Sequence, residues 1–101
     1  MANKLERDFQ RALKKRIKSM FPGCYVMKTD PNQIQGIPDL LILYKNKWAM
    51  LECKRSAKAR EDPEPNQEYY VSTMDKMSFC RFIYPENMEE VLNDLQQAFE
   101  S

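Results

Sequence analysis

Three charged residues stand inside an apolar hairpin, "GIPDLLILYKNKWAMLECK", which runs from Gly36 to Lys54. They are Asp39 near one end and Glu52 and Lys54 near the other. Side chains alternate across a strand, so Asp39, Leu41 and Leu43 share one face of the first arm. Trp48, Met50, Glu52 and Lys54 share one face of the second, and Cys53 points the opposite way. A two-residue loop, Lys45-Asn46 or Asn46-Lys47, sets Asp39 opposite Glu52 or Lys54, with the other as diagonal neighbour. A three-residue loop without a bulge sets it opposite Cys53 instead. Asn46 tolerates the left-handed backbone that such loops demand.

Two carboxylates on one buried face repel and are costly to bury without positive charge between them. Lys54 can provide it, as an edge-strand ion pair. Mg²⁺ can provide it with more ligands: Asp39 and Glu52 each offer a hard oxygen, and the Cys53 backbone carbonyl a third. From the hairpin alone the two readings stand level. The chain has no histidine, which removes imidazole bases and Cys/His zinc patterns. Any catalysis must use carboxylates, lysine and a hard metal.

The elements that must hold these residues follow from periodicity. Leu5, Phe9, Leu13 and Ile17 recur every four residues, which predicts an amphipathic helix from Asn3 to Met20, capped by Asn3 and stopped at Pro22-Gly23. Strands are expected at Cys24–Thr29, Leu40–Tyr44, Trp48–Cys53 and Phe79–Tyr84. "RSAKAREDPEPN" reads as a long charged loop. A helix is expected from Gln67 to about Lys76. Another follows Pro85, with Met88, Val91, Leu92, Leu95 and Phe99 on one side. The order is αβββαβα, an α/β class with a central four-stranded mixed sheet covered by helices on both faces. The unbroken apolar run Leu40 to Leu43 supports burial of both faces.

With 101 residues, 43% hydrophobic and 31% charged, the chain is expected to form one soluble globular domain. The net charge of +1 hides an asymmetry. Lys4, Arg7, Arg11, Lys14, Lys15, Arg16 and Lys18 crowd the first helix, and Glu86, Glu89, Glu90, Asp94 and Glu100 the last. A basic half suggests a polyanion such as nucleic acid, although on charge alone a solvated helix face is the better reading. No apolar run is long enough to span a membrane, and no signal-peptide core is evident. The expected compartment is the cytoplasm, that of the host if the source is viral. Cys24, Cys53 and Cys80 are odd in number and widely spaced, as expected for buried free thiols.

Pro38-Asp39 followed by Glu52-Cys53-Lys54 resembles the PD-(D/E)xK nuclease motif, and the element order matches that restriction-endonuclease-like fold. "GIPDLLIL" is similar to the G-x-PD-L segment of the VRR-Nuc branch, and "PNQ", Pro65 to Gln67, to its P-x-Q at the second core helix. "DKMSF" departs from the family in lacking a glycine. The resemblance implies a Mg²⁺-dependent endonuclease, with Mn²⁺ as a substitute. Asp39 and Glu52 would hold metal, and Glu6 on the first helix would join them directly or through water. Lys54 would orient the attacking water and stabilise phosphate charge, and Gln67 would contact that water or the scissile phosphate. Without the resemblance Glu6 is a helix N-terminal charge and Gln67 a free amide. Arg11, Lys14, Lys15, Lys18, Lys58 and Arg60 are candidates for DNA phosphate contacts. Small stand-alone members of the branch resemble homodimeric Holliday-junction resolvases, and two-fold symmetry suits paired cuts in a four-way junction. Two alternatives are a nicking or trimming nuclease within a larger complex and a catalytically inactive DNA-binding or assembly module.

Overall fold

The computed structural model describes residues 3–101. Helix α1, Lys4–Met20, begins where the Asn3 side chain accepts a hydrogen bond from the Glu6 N–H. This caps one of the free donors of its first turn. Strands β1 (Tyr25–Lys28), β2 (Leu40–Tyr44) and β3 (Lys47–Cys53) follow. A short helix α2 (Ala57–Arg60), helix α3 (Gln67–Met77), strand β4 (Phe79–Ile83), a 3₁₀ turn at Pro85–Asn87 and helix α4 (Met88–Glu100) complete the chain. The sheet order is β1-β2-β3-β4. The first three strands form an antiparallel meander, and β4 lies parallel to β3. The expected αβββαβα order and mixed sheet are therefore present. Only α2 departs from it, inside the stretch expected to be loop. Its capping Ser56 accepts from the Ala59 N–H, enough to wind one turn through two alanines.

The sheet carries two unequal cores. One face meets α1 and α4 through Leu13, Ile17, Phe21, Leu40, Ile42, Ala49, Leu51, Ile83, Leu92 and Leu95, several wholly buried. Phe21, Tyr44 and Phe99 pack ring against ring at its far end, with centroids 5.1 to 5.6 Å apart. The other face meets α3 through a smaller cluster of Met50, Val71, Cys80 and Phe82, with Trp48 half-buried beside it. Trp48 thus packs, as expected. The stripe expected on α1 holds at Leu13 and Ile17, which are buried, and at Phe9 and Met20, which pack against this core. It fails at Leu5, which is 68% exposed, while Gln10 is buried and Glu6 half-buried. Cys53 and Cys80 are buried free thiols and Cys24 is half-buried. Arg16 binds Glu89 through both guanidinium nitrogens, at 2.7 and 2.9 Å, so the basic first helix is clamped to the acidic last one. Among the described residues no helix is long and apolar enough to cross a membrane.

The hairpin turn settles the register. Tyr44 pairs with Lys47, Leu41 with Met50 and Leu40 with Leu51, leaving Lys45-Asn46 as a two-residue loop. The left-handed residue is Lys45, at φ 57°, and not Asn46 as expected. A positive φ at the first central position alone is the sign pattern of a type II′ turn. This register makes a direct prediction. Ile42→Ala, on the wholly buried face, should cost at least about 2 kcal/mol in urea unfolding. Its neighbour Leu43→Ala, 37% exposed, should cost less than about 1 kcal/mol. Equal costs would contradict the register.

Candidate active site

The pairing that sets Leu40 opposite Leu51 continues one step to set Asp39 opposite Glu52. Asp39 immediately precedes β2, and its backbone is pinned from the neighbouring strand. Thr29 donates its N–H to the Asp39 carbonyl at 2.9 Å and its hydroxyl to the Pro38 carbonyl at 2.7 Å. The Asp39 Oδ2 atom accepts the Cys53 N–H at 2.9 Å. Cys53 therefore meets the site through its N–H, a partner the sequence does not reveal, and its thiol lies in the opposite core. Burial, then the charges of Asp39 and Glu52, push that thiol well above its ordinary range, so it is inert.

Glu52 is 2% exposed. Its Oε2 accepts the Gln67 side-chain N–H at 3.1 Å, and its Oε1 is buried with no hydrogen-bond partner. Burial, then the charge of Asp39 and proton-sharing with its carboxyl, push the Glu52 pKa up to about 9, against a smaller opposing pull from Lys54. Lys54 is also buried. It makes no direct ion pair among the described residues; its ammonium donates to Gln67 Oε1 at 2.7 Å. The same oxygen accepts the Glu64 N–H at 2.9 Å. Two donors fix the amide's oxygen end and one carboxylate its nitrogen end, so Gln67 can face only one way. The edge-strand ion pair that could have explained the hairpin charges is not formed.

Glu6 lies at the rim of this group. Its carboxyl is raised, first by burial and then by Asp39, while Lys54 and Arg55 pull it down. The structure thus brings together Glu6, Asp39, Glu52, Lys54 and Gln67, drawn from α1, both hairpin arms and the start of α3. That convergence depends on Gly36, which at φ +91° lies against the loop entering α3. A Cβ there would stand 2.7 Å from the Asn66 Cβ and 2.8 Å from the Pro65 carbonyl oxygen. Asn66, itself left-handed at φ 72°, precedes Gln67. The Gly36 and Pro65-Gln67 segments are therefore in contact, as positioning parts of one site.

The basic candidates divide. Arg60 is engaged internally, with an ion pair to Glu68 at 2.6 Å and its guanidinium 3.7 Å from the Phe82 ring centroid. Lys58 is exposed on α2. Lys15 and Lys18 are exposed and Lys14 half-buried; Arg11 is exposed beside Asp8 at 3.5 Å. Tyr69 and Tyr70 stack edge to face on each other and make no hydrogen bond to the site among the described residues.

Asp39 and Glu52 fit a hard divalent cation. Each accepts a protein N–H through one oxygen. The other oxygens, of which the Glu52 one is buried, are left to the proton the two carboxyls share or to a cation that displaces it. Among the described residues no group of three or more acidic, Cys or His side chains is placed to hold a metal ion, so the pair would have to act without a third such ligand. Mg²⁺ commonly takes one or two carboxylates and fills its shell with water and substrate oxygens. No family model, curated protein or solved structure matches the chain.

Two predictions follow from this geometry. Gly36→Ala should cost about 1–3 kcal/mol in urea unfolding, from a strained φ and a backbone clash. The pH dependence of stability has a sign set by Glu52. Its folded pKa lies above its unfolded one, so the folded state holds a proton that the unfolded state has lost. In EDTA, that stabilisation should be full below the ordinary carboxylate range and fall as pH rises to about 9. Glu52→Gln should flatten the urea-midpoint profile across this window. A Glu52→Gln profile that still falls like the wild type would remove Glu52 as its source.

Proposed function

We propose that the chain is a metal-dependent endonuclease that hydrolyses DNA phosphodiester bonds, of the PD-(D/E)xK kind its motifs resemble. The observation that carries this reading is the unpartnered Glu52 Oε1 beside Asp39, with the Lys54 ammonium held apart by Gln67. Phosphodiester hydrolysis needs a deprotonated water and compensation of negative charge developing on the phosphate. Mg²⁺, or Mn²⁺ in its place, supplies both when bound. Asp39 and Glu52 would hold it, with Glu6 at the rim through water or directly.

The remaining work falls to side chains already in place. Lys54 has two N–H groups uncommitted among the described residues, and these suit a phosphate oxygen or the incoming water. Gln67 is a positioning residue for both partners. Its oxygen holds the ammonium and its amide N–H holds one Glu52 oxygen, which leaves the other for the cation. We extend the reading to a homodimer acting on four-way DNA junctions, because two equivalent sites about a two-fold axis suit paired symmetric cuts.

The test uses four-way junction, linear duplex and single-stranded DNA, each with Mg²⁺, Mn²⁺ or EDTA. Cleavage should require the cation, and Asp39→Asn and Lys54→Ala should each reduce it at least about a hundredfold. Gln67→Ala should reduce kcat more than it raises KM, since it disturbs groups that act on the reacting phosphate. Paired symmetric cuts confined to the junction, with a dimer by light scattering, carry the finer reading. Cutting of all three substrates by a monomer would reduce it to a general nuclease. Metal-independent activity, or none in any mixture, would remove the nuclease.

A further inference from the structure

The charge of α1 is one-sided. At about 100° per residue, Lys4, Arg7, Arg11, Lys14 and Lys18 fall within about 80–160° of Glu6 round the helix axis. They form a single row at heptad-like spacing on the flank turned away from α4. The other flank carries Leu5, Ala12 and Arg16, and Arg16 is neutralised by Glu89. Lys15 lies on the back of the helix, outside the row. Within the row the one ion pair among the described residues is the long, exposed contact of Arg11 with Asp8 at 3.5 Å. Such a pair contributes little and is easily exchanged. Lys28 ends β1 and pairs with Leu40, so it shares the sheet face against which α1 packs. The row's N-terminal end flanks Glu6, at the rim of the carboxylate site. Its C-terminal end, at Lys18, lies by Cys24, whose thiol feels that ammonium.

We infer that this row binds the sugar-phosphate backbone of one DNA strand and leads it to the Asp39–Glu52 site. The direction of the track rests on the nuclease reading; the binding itself does not. From Lys4 to Lys18 the helix rises about 21 Å, which matches roughly six base pairs of duplex. A narrow line of charge fits one backbone better than a membrane surface or an acidic protein face, either of which would favour a broad patch. Contacts of this kind give affinity and register without reading sequence. They place most of the bound DNA to one side of the scissile phosphate, along α1 and the β1 edge.

The test removes two charges from the row and, as a control, two from the end of the sheet away from the site. The row variant is Arg7→Ala/Lys18→Ala. The control is Lys45→Asn/Lys76→Ala, at the hairpin turn and the end of α3. Binding of each to a fluorescein-labelled DNA duplex longer than two helical turns is followed by anisotropy in EDTA, across a potassium chloride series. The row variant should bind at least about tenfold more weakly at low salt, and the slope of log affinity against log salt should fall by about two. The control should stay within about threefold of wild type with its slope unchanged. Equal losses in both variants, or no loss in the row variant, would falsify the track. No cleavage is needed for this measurement. Row-dependent binding without Asp39-dependent cutting sinks the nuclease reading alone, and Asp39-dependent cutting by an unimpaired row variant sinks the track alone.

Discussion

Glu52 is buried and faces a half-buried Asp39, so the two carboxyls cannot both ionise without cost, and burial and the Asp39 charge hold a proton on Glu52 up to about pH 9. The position of almost every polar group nearby follows from holding Asp39 and Glu52 in that arrangement. The Cys53 N–H takes one Asp39 oxygen and the Gln67 amide takes one Glu52 oxygen. Thr29 ties the Asp39 backbone to the next strand, which prevents the acid from swinging out to solvent. All of this descends from the two-residue turn at Lys45-Asn46. One residue more in that loop would have turned Asp39 into the aliphatic core.

The sheet's two faces divide the remaining tasks. The face under α1 and α4 is broad and dry, and it supplies most of the hydrophobic stabilisation. Among the described residues the face under α3 has a cluster of four buried apolar residues, and the polar network occupies what would otherwise be its upper end. The approach of the Gly36 loop to Pro65-Asn66 closes that end, at the cost of left-handed backbone at Gly36 and Asn66. Strain of this sort persists where surrounding contacts over-determine it. Here the contacts on either side are the hairpin and the first turn of α3, the two elements that carry the charges.

The hairpin was legible from sequence because a period of two and a short turn leave few registers open, and the caps and stops of α1 because their chemistry is local. The buried face of α1 was not. Residues four apart precess about 40° per step, so the line from Leu5 to Ile17 winds round the helix. The line that follows the sheet runs Glu6, Gln10, Leu13, Ile17, with Phe9 half-buried on its flank, so it takes in two polar residues and loses Leu5 to solvent. A hydrophobic count cannot detect that exchange, because the first turn of α1 meets the polar site and not the core. The internal contacts of Arg60 were hidden for a related reason. Its partners Glu68 and Phe82 come from α3 and β4, and only the tertiary fold brings them to it. The positive φ of the turn falls on Lys45, and the sequence does not mark it over Asn46, the residue better suited to that backbone.

The position of Lys54 separates the two readings of the charged hairpin. A structural ion pair would place the ammonium against a carboxylate and satisfy both. Here a neutral amide stands between them, so the carboxylates keep an unpartnered oxygen and the ammonium keeps uncommitted donors. The carboxyl pair holds a proton where a cation could sit, and the buried ammonium has no anion against it, which lowers the stability of the free protein. A structure selected only for stability gains nothing from Gln67 in that place, since a direct contact or an apolar replacement would do better. A cation at the carboxylates and a phosphate at the ammonium satisfy both ends together, and each also neutralises the other. The electrostatics of the free protein are thus incomplete in the sense that a metal-bound phosphodiester would complete, and this is the physical content of the proposed activity.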